Sequence, residues 1–458
     1  MAQRMNRRRF LQGVVAGGAG LLILGNSRSV WSAEANSKMS LAHVGCGGRG
    51  QELIDGFSRT SNIVAMCDVN QTKAGIKYRQ FPDVPKFEDF RVMLDKMDKQ
   101  IDAVVIATPD HTHAVASAAA MHHGKHVYSE KPLTRTVHES RVLRELAGKQ
   151  KVATSMGNQG TAAGPYRRAL ELIQGGTIGQ IREVYVWCEG GSAGHKAAPA
   201  EDQKVPPYLN WDLWLGPARM RPFNGRWLGW SAWRDFGTSN LGNWASHSAN
   251  LAFRALKVDS LWYADAGRRP IIKVQAWPQE INAVGYPRYE RVRWDLPARG
   301  DLPAISFHWV NGYDPAGRGN LEEVMGRPLD WGDNGPKKWT DFAGCILVGT
   351  EGKIYSTGHN ATFTFLPAEK FKDIQRDRPE KVESSAGHEQ DFLNAAKGGK
   401  PAWANYDYAG PLNEFLQLGN VATQIEGTLE YDPLAGKITN NPRADGLLTS
   451  EYRAGWSL

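Results

Sequence analysis

At 458 residues, with 41% hydrophobic and 22% charged residues, the chain can bury a large core and has the composition of an ordinary globular protein. Its formal net charge is +7, but Arg4, Arg7, Arg8, Arg9 and Arg28 precede Ala33 in a stretch with no acidic residue, so a chain cut there keeps only +2. That balance argues against a nucleic-acid partner.

The amino terminus reads as an export signal over residues 1–33. Asn6-Arg7-Arg8-Arg9-Phe10-Leu11-Gln12 is a twin-arginine type basic segment, followed by an apolar run from Val14 to Leu24 and small residues near Ala33 and Ala35. The run is too short and glycine-rich for a good membrane span, so no stable membrane anchor is expected. The expected partner is the twin-arginine export machinery and the expected location periplasmic or secreted. Such export moves folded proteins, so a cofactor would be loaded before export and retained afterwards. Cys46, Cys67, Cys188 and Cys345 lie in or beside apolar runs without metal spacing and are expected to be buried thiols.

From residue 38 to 156, strand and helix patterns alternate as a doubly wound parallel sheet requires. Leu41-Ala42-His43-Val44 breaks into Gly45-Cys46-Gly47-Gly48-Arg49-Gly50, a turn suited to cradle a dinucleotide pyrophosphate at a helix N-terminus. A second apolar run, Ile63 to Cys67, ends in Asp68, about 20 residues beyond the glycines, where a carboxylate accepts the ribose hydroxyls. No arginine among Val69, Asn70, Gln71 and Thr72 offsets that charge, so NAD is expected rather than NADP. The next strand, Ile101 to Ala107, ends in Thr108-Pro109-Asp110-His111-Thr112-His113, and the helix after it is expected from Ala114 to His123. His126 to Ser129 is a strand running into Glu130-Lys131-Pro132, after which Thr136 caps a helix.

Beyond Gly157 the pattern changes. Pro165 to Gln174 predicts a helix stopped by Gly175-Gly176, and Ile181 to Cys188 alternates like a half-buried antiparallel strand. Gly190 to Asn240 is a long irregular stretch rich in Gly, Pro and Trp, of the length that is usually functional or disordered and too aromatic for disorder. Further strands are expected at Ile271 to Ala276, Arg291 to Trp294, Ala304 to Trp309 and Cys345 to Val348, with a late helix from Glu414 to Glu426 and a tail from Asp445 to Leu458 acting as a surface strap or oligomer contact. The expected fold is α/β: an N-terminal Rossmann sheet over 38–156 and, over 157–458, an α+β substrate-binding and oligomerisation domain built on an open, mainly antiparallel sheet.

Ligands of open parallel sheets bind beyond the carboxyl ends of the strands, where Gly45, Asp68, Thr108-Pro109 and Glu130-Lys131-Pro132 converge. Lys131 is the reactive candidate there, able to orient a substrate hydroxyl or, partly desolvated, to move a proton. Asn158 and Gln159, at the next strand end, are candidate contacts to the nicotinamide ribose, and His111 and His113 are expected to line the cofactor pocket.

Together the glycine turn, Thr108 to His113 and Glu130-Lys131-Pro132 resemble the Gfo/Idh/MocA oxidoreductase family. Pro207 to Pro217 and Trp233 to Thr238 resemble its exported branch, which includes NAD-dependent glycosidases of the α-N-acetylgalactosaminidase type. The resemblance implies that Lys131 and a histidine of the second domain meet over the nicotinamide; His247, in Gly242 to Asn250, matches that histidine. Asn243 and His247, four apart, would share one helix face, and His247 would accept a hydroxyl proton. Where many relatives have Asp, this chain has Asn243 and Asn250. Among Trp211, Trp214, Trp227, Trp230 and Trp233, one or two are expected to stack on a sugar ring, Trp230 and Trp233 foremost, with Arg234, His195 and Lys196 holding hydroxyls or a charged substituent.

The reading is an exported homo-oligomeric oxidoreductase moving a hydride from a ring carbon of a sugar or glycoside to tightly held NAD. A redox-neutral NAD-dependent glycosidase is the alternative, working by oxidation, elimination and re-reduction. An NAD-containing carbohydrate-binding protein with little activity is a further one.

Overall fold

The computed structural model describes residues 38–458, apart from 191, 266, 268, 313 and 332–338; the export signal expected over 1–33 lies outside them. Among the described residues the strands form two sheets. The first contains β1 (Ser40–Val44), β2 (Asn62–Cys67), β3 (Lys86–Phe87), β4 (Ala103–Ile106), β5 (His126–Ser129) and β6 (Thr154–Met156) in the order β3-β2-β1-β4-β5-β6. Every pairing in it is parallel. Such a sheet must be covered on both faces, and the fully buried run Ala103 to Ile106 at its centre satisfies that demand. The order reverses at β1, so the glycine turn after β1 opens beside the end of β4 at the switch point.

The helix after β4 starts at Asp110, earlier than the expected Ala114. Pro109 stands at its N-cap and Asp110 in its first turn, so Thr108 to His113 is the head of a helix rather than an extended strand exit. Thr136 caps the helix Val137–Gln150 as anticipated, in a capping box with Glu139.

The second sheet adds β7 (Ile181–Cys188), β8 (Ile272–Pro278), β9 (Glu290–Leu296), β10 (Ile305–Asn311), β11 (Ala343–Gly349), β12 (Lys353–Thr357), β13 (Phe363–Leu366), β14 (Leu429–Asp432) and β15 (Lys437–Ile438). Their order is β13-β12-β11-β7-β10-β9-β8-β14-β15. The sheet is mainly antiparallel. β7, however, is an interior strand, parallel to β10 and antiparallel to β11, and most of it is buried on both faces.

The late helix runs from Tyr406 to Ala422, not Glu414 to Glu426, and it is buried along nearly its whole length. It packs against the helix Val137–Gln150 on one side, while Phe415 stacks on Trp294 of the second sheet, ring centroids 4.5 Å apart, on the other. Burial on both sides erases the amphipathic stripe by which its start could be recognised. Ser40 to Leu458 accordingly pack as one compact unit.

The irregular stretch after β7 builds its own small core from Trp211, Trp214, Phe223, Trp227, Trp233 and Phe236, among others. Backbone hydrogen bonds Gln71 N to Tyr208 O and Asn210 N to Val69 O pin it to the loop beyond β2. The carboxyl-terminal tail is a strap on this chain's own surface. Arg453 donates to Gly216 O, to Asp212 O and to the Asp212 carboxylate, and Trp456 packs on Phe90 and under Arg91.

All four cysteines are buried thiols. Among the described residues, no helix is long and apolar enough to cross a membrane.

Candidate active site

The glycine turn is shaped by close approach. Gly45 has φ of 86°, and a Cβ on it would lie 2.4 Å from Ala107 O; a Cβ on Gly50 would lie 2.0 Å from Gly45 O. Gly47 meets Lys73 in the same way at 2.8 Å, whereas around Gly48 there is open space. The helix Arg49–Ser58 begins at this turn with no side-chain cap; Gly50 N and Gln51 N donate back to Gly47 O and Gly48 O, and Arg49 itself lines the groove.

Asp68 braces the turn: its carboxylate accepts Cys46 N at 2.8 Å through one oxygen and Asn70 N at 2.8 Å through the other. Burial raises its pKa while these N–H groups pull it down. Asp68 also lines a groove of about 490 Å³ with Gly45, Gly47, Thr108 and Pro109. The irregular loop roofs that groove with Leu213, Trp214, Leu228 and Trp230.

At its far end the groove meets a second chamber of about 420 Å³, lined by Gln159, Trp244, His247 and His359. Arg49, Glu130, Lys131 and Asn243 line both, so they form the partition. Lys131 Nζ donates to Asn243 Oδ1 across the seam between the two sheets. Burial lowers the pKa of this ammonium, and Glu130 and Asp110 oppose the shift. Glu130 is buried, accepting from Arg49 Nε at 2.9 Å and Gln159 Nε2 at 3.1 Å. Asn158 is fully buried, neither polar atom of its amide has a partner, and it lines neither cavity.

Residues 39–158 match the Gfo/Idh/MocA description "Oxidoreductase family, NAD-binding Rossmann fold". Over residues 39–158 the chain carries the NAD-binding domain of the Gfo/Idh/MocA family. Its levoglucosan dehydrogenase relative from Pseudarthrobacter phenanthrenivorans is 36% identical over 122 residues, 25% of this chain and 29% of that protein. A glycosyl hydrolase family 109 protein from Solibacter usitatus is 33% identical over 137 residues, 27% of this chain and 31% of the relative. Each match thus spans about a third of the relative's length. In three dimensions the aldose-aldose oxidoreductase from Caulobacter crescentus, 15% identical, superposes with a TM-score of 0.54 over 85% of this chain and 99% of its own, which extends the likeness in fold across both sheets.

Within this site, the residues expected to hold NAD fall into two groups. Gly45, Gly47, Gly48, Arg49, Asp68, Thr108, Pro109, Glu130 and Lys131 line the groove, and Gln159 the adjoining chamber. His111, His113, Gly50, Pro132 and Asn158, in contrast, line neither. Both nitrogens of His113 lie 2.8 Å from carbonyls, those of Pro132 and Thr108, so the ring ties the two rim loops together. His111 sits between Trp214 O and Phe236 O, and burial lowers its pKa to about 4.

Of the expected substrate residues, Trp230 faces the groove and Asn243 the seam. Trp233 is fully buried and donates to Arg226 O; its residues are loop core, not a stacking platform. Arg234 is buried on Asn282 O, Asn420 O and Thr423 Oγ1, and His195 stacks on Trp233 at 4.0 Å. These three line neither cavity, because the loop spends them on its own packing. Asn250 likewise leaves the site: its amide oxygen accepts Tyr166 and Tyr408 hydroxyls in the core.

Two groups escaped the sequence. His359 stands on the turn after β12, where no periodicity marks it. Asp110 is buried in the groove wall, one carboxylate oxygen accepting Thr238 Oγ1 at 2.7 Å and the other without a partner. Burial raises its pKa to about 6, against the pull of His113, Thr238 and Lys131. The folded carboxyl therefore holds its proton to higher pH than the unfolded one, and stability falls as pH rises from the ordinary carboxylate range through 6. Asp110→Asn, which keeps the Thr238 bond, should stabilise the nucleotide-free protein by ~2 kcal/mol above that range and by little below pH 4, read from denaturant unfolding at both pH values.

Proposed function

We propose that this chain is an exported NAD-dependent oxidoreductase acting on a sugar or glycoside, with Lys131 and His247 as its catalytic pair. The observation that carries the reading is the partition itself: Lys131, held by Asn243, stands where the nucleotide groove opens into the chamber containing His247. The glycine cradle and Asp68 fit a dinucleotide along the groove. NAD, when bound, supplies a hydride acceptor at that opening.

The chain's own residues supply the rest. Lys131 donates to the oxygen of the reacting carbinol and fixes it toward the seam. His247 is kept neutral by burial and by Lys131, and so is free to take the hydroxyl proton. Trp230, Trp214 and Leu228 exclude water from above. Export by the twin-arginine route belongs to the same reading, since the roofed groove suits a nucleotide loaded once and kept.

The glycosyl hydrolase family 109 relative favours a second reading, in which the same pair supports release of an aglycone with no net NADH. One experiment separates them. The purified protein is denatured and its released nucleotide identified by mass; intact protein is then offered free sugars and glycosides while nicotinamide absorbance and leaving-group release are followed together. Absorbance gain without release supports oxidation, release without gain supports the glycosidase, and an absent nucleotide with neither signal overturns both.

A further inference from the structure

A buried base needs somewhere to send its proton. His247 is 5% exposed, makes no ring hydrogen bond to the protein among the described residues, and is pressed toward neutrality by burial and by Lys131, His359, Arg49 and His388. Once protonated it is a cation beside an ammonium, in a chamber whose other ionisable groups are engaged. Glu130 and Glu52 are paired with Arg49, and Lys131 is bonded to Asn243.

His359 differs from all of these. It is exposed to solvent, has no ion pair or hydrogen bond among the described residues, and its ring lies 4.7 Å from that of His247 at an angle of 60°. Its other ring neighbour is Trp244, 5.2 Å away, with Lys131 and Arg49 as the charges that face it.

The turn carrying His359 is built to hold this position. Asn360 adopts a left-handed φ of 55° and is buried. Its amide accepts from Leu251 N at 3.1 Å and donates to Ser248 O at 3.3 Å, clamping the turn to the backbone immediately after His247. On the other flank, His359 O packs so close to Gly160 that a Cβ there would stand 2.1 Å from it. A side chain with no structural bond is thus held by a turn that is bonded on one side and packed against Gly160 on the other.

We propose that His359 is the proton exit of the site, passing to solvent the proton that His247 takes from the substrate hydroxyl. The inference rests on the oxidoreductase reading above. In the step, the substrate C–H bond breaks with its electron pair to the oxidised nicotinamide and the O–H proton goes to His247. His247 then returns to neutral by giving a proton, directly or through one water, to His359, which releases it to bulk water; in a redox-neutral cycle the same proton comes back by the same route. His359 acts through His247 and so is a relay residue, not a catalytic one.

The test uses the full NAD-loaded protein carrying His359→Gln or His359→Ala. The expected result is a kcat lower by on the order of 100-fold near neutral pH, with KM within about twofold, nucleotide content unchanged, and partial recovery of His359→Ala by added imidazole. A raised KM with intact kcat makes His359 a substrate contact and overturns the proposal, as does a lower kcat that imidazole leaves unchanged. A second readout needs no turnover. In the NAD-loaded protein labelled at histidine, His359→Gln should move the His247 titration to higher pH, because a neighbouring cation is gone; an unmoved titration breaks the coupling and overturns the proposal. If no sugar is turned over by the wild type, the functional reading fails on its own, and the titration alone decides the fate of the imidazole pair.

Discussion

Lys131→Met should lower turnover by about 10²–10⁴-fold while the protein still carries its nucleotide. Methionine keeps the length and apolar body of the lysine but removes the donor at the opening between groove and chamber. The groove itself is held by the glycine turn, Asp68 and the roof of Trp214 and Trp230, none of which relies on the ammonium. Asn243 loses its hydrogen bond, but it is only half-buried and can bond to water instead. The measurements are steady-state kinetics on the substrate found in the panel, and mass identification of released nucleotide. Unimpaired turnover would remove Lys131 from the chemistry, and loss of nucleotide would make it part of the cradle.

Gly50→Ala should have the converse effect, a loss of nucleotide with any activity lost as a consequence. The added Cβ meets Gly45 O at 2.0 Å and Gly45 C at 2.8 Å, backbone atoms that cannot swing aside. The helix must back away from β1, costing about 1–3 kcal/mol in overpacking and misplacing the glycine turn that lines the groove. Gly148→Ala is the matched control. Gly148 lies in the helix Val137–Gln150 with nothing within 4 Å of its Cβ position, so the change there should be neutral or slightly stabilising. Titration with NAD after removal of endogenous nucleotide reads both.

The nucleotide half of the site was legible in the sequence because its instructions are local. A glycine between strand and helix, a carboxylate at the end of the next strand and a lysine at the end of β5 each follow from a short window, and parallel-sheet geometry brings strand ends together without further information. Even there, Pro109-Asp110 was a helix start that the interest of the following histidines obscured.

The aromatic loop was not legible in that way. Trp230 and Trp233 are three apart in one loop, yet one faces the groove and the other is fully buried, since only the packing of Trp211, Trp227 and Phe236 decides which indole points where. Asn243 and Asn250 looked like a matched pair of departures from their relatives. They lie at the end of the helix Ser239–Asn243 and the start of the helix Asn250–Ala255, with the helix Ala245–Ser248 between, and one serves the seam while the other serves Tyr166 and Tyr408. His359 reaches the chamber from a β-turn more than a hundred residues away in sequence from His247, a distance over which no periodicity speaks.

Arg453 has a wider bearing. By gripping Asp212 and Gly216 it ties the last residues of the chain to the short helix whose Leu213 and Trp214 roof the groove, while Trp456 grips Phe90 on the opposite wall. The carboxyl terminus thereby couples two parts of the groove lining, so local unfolding of the last few residues would loosen the roof and the Phe90 wall together.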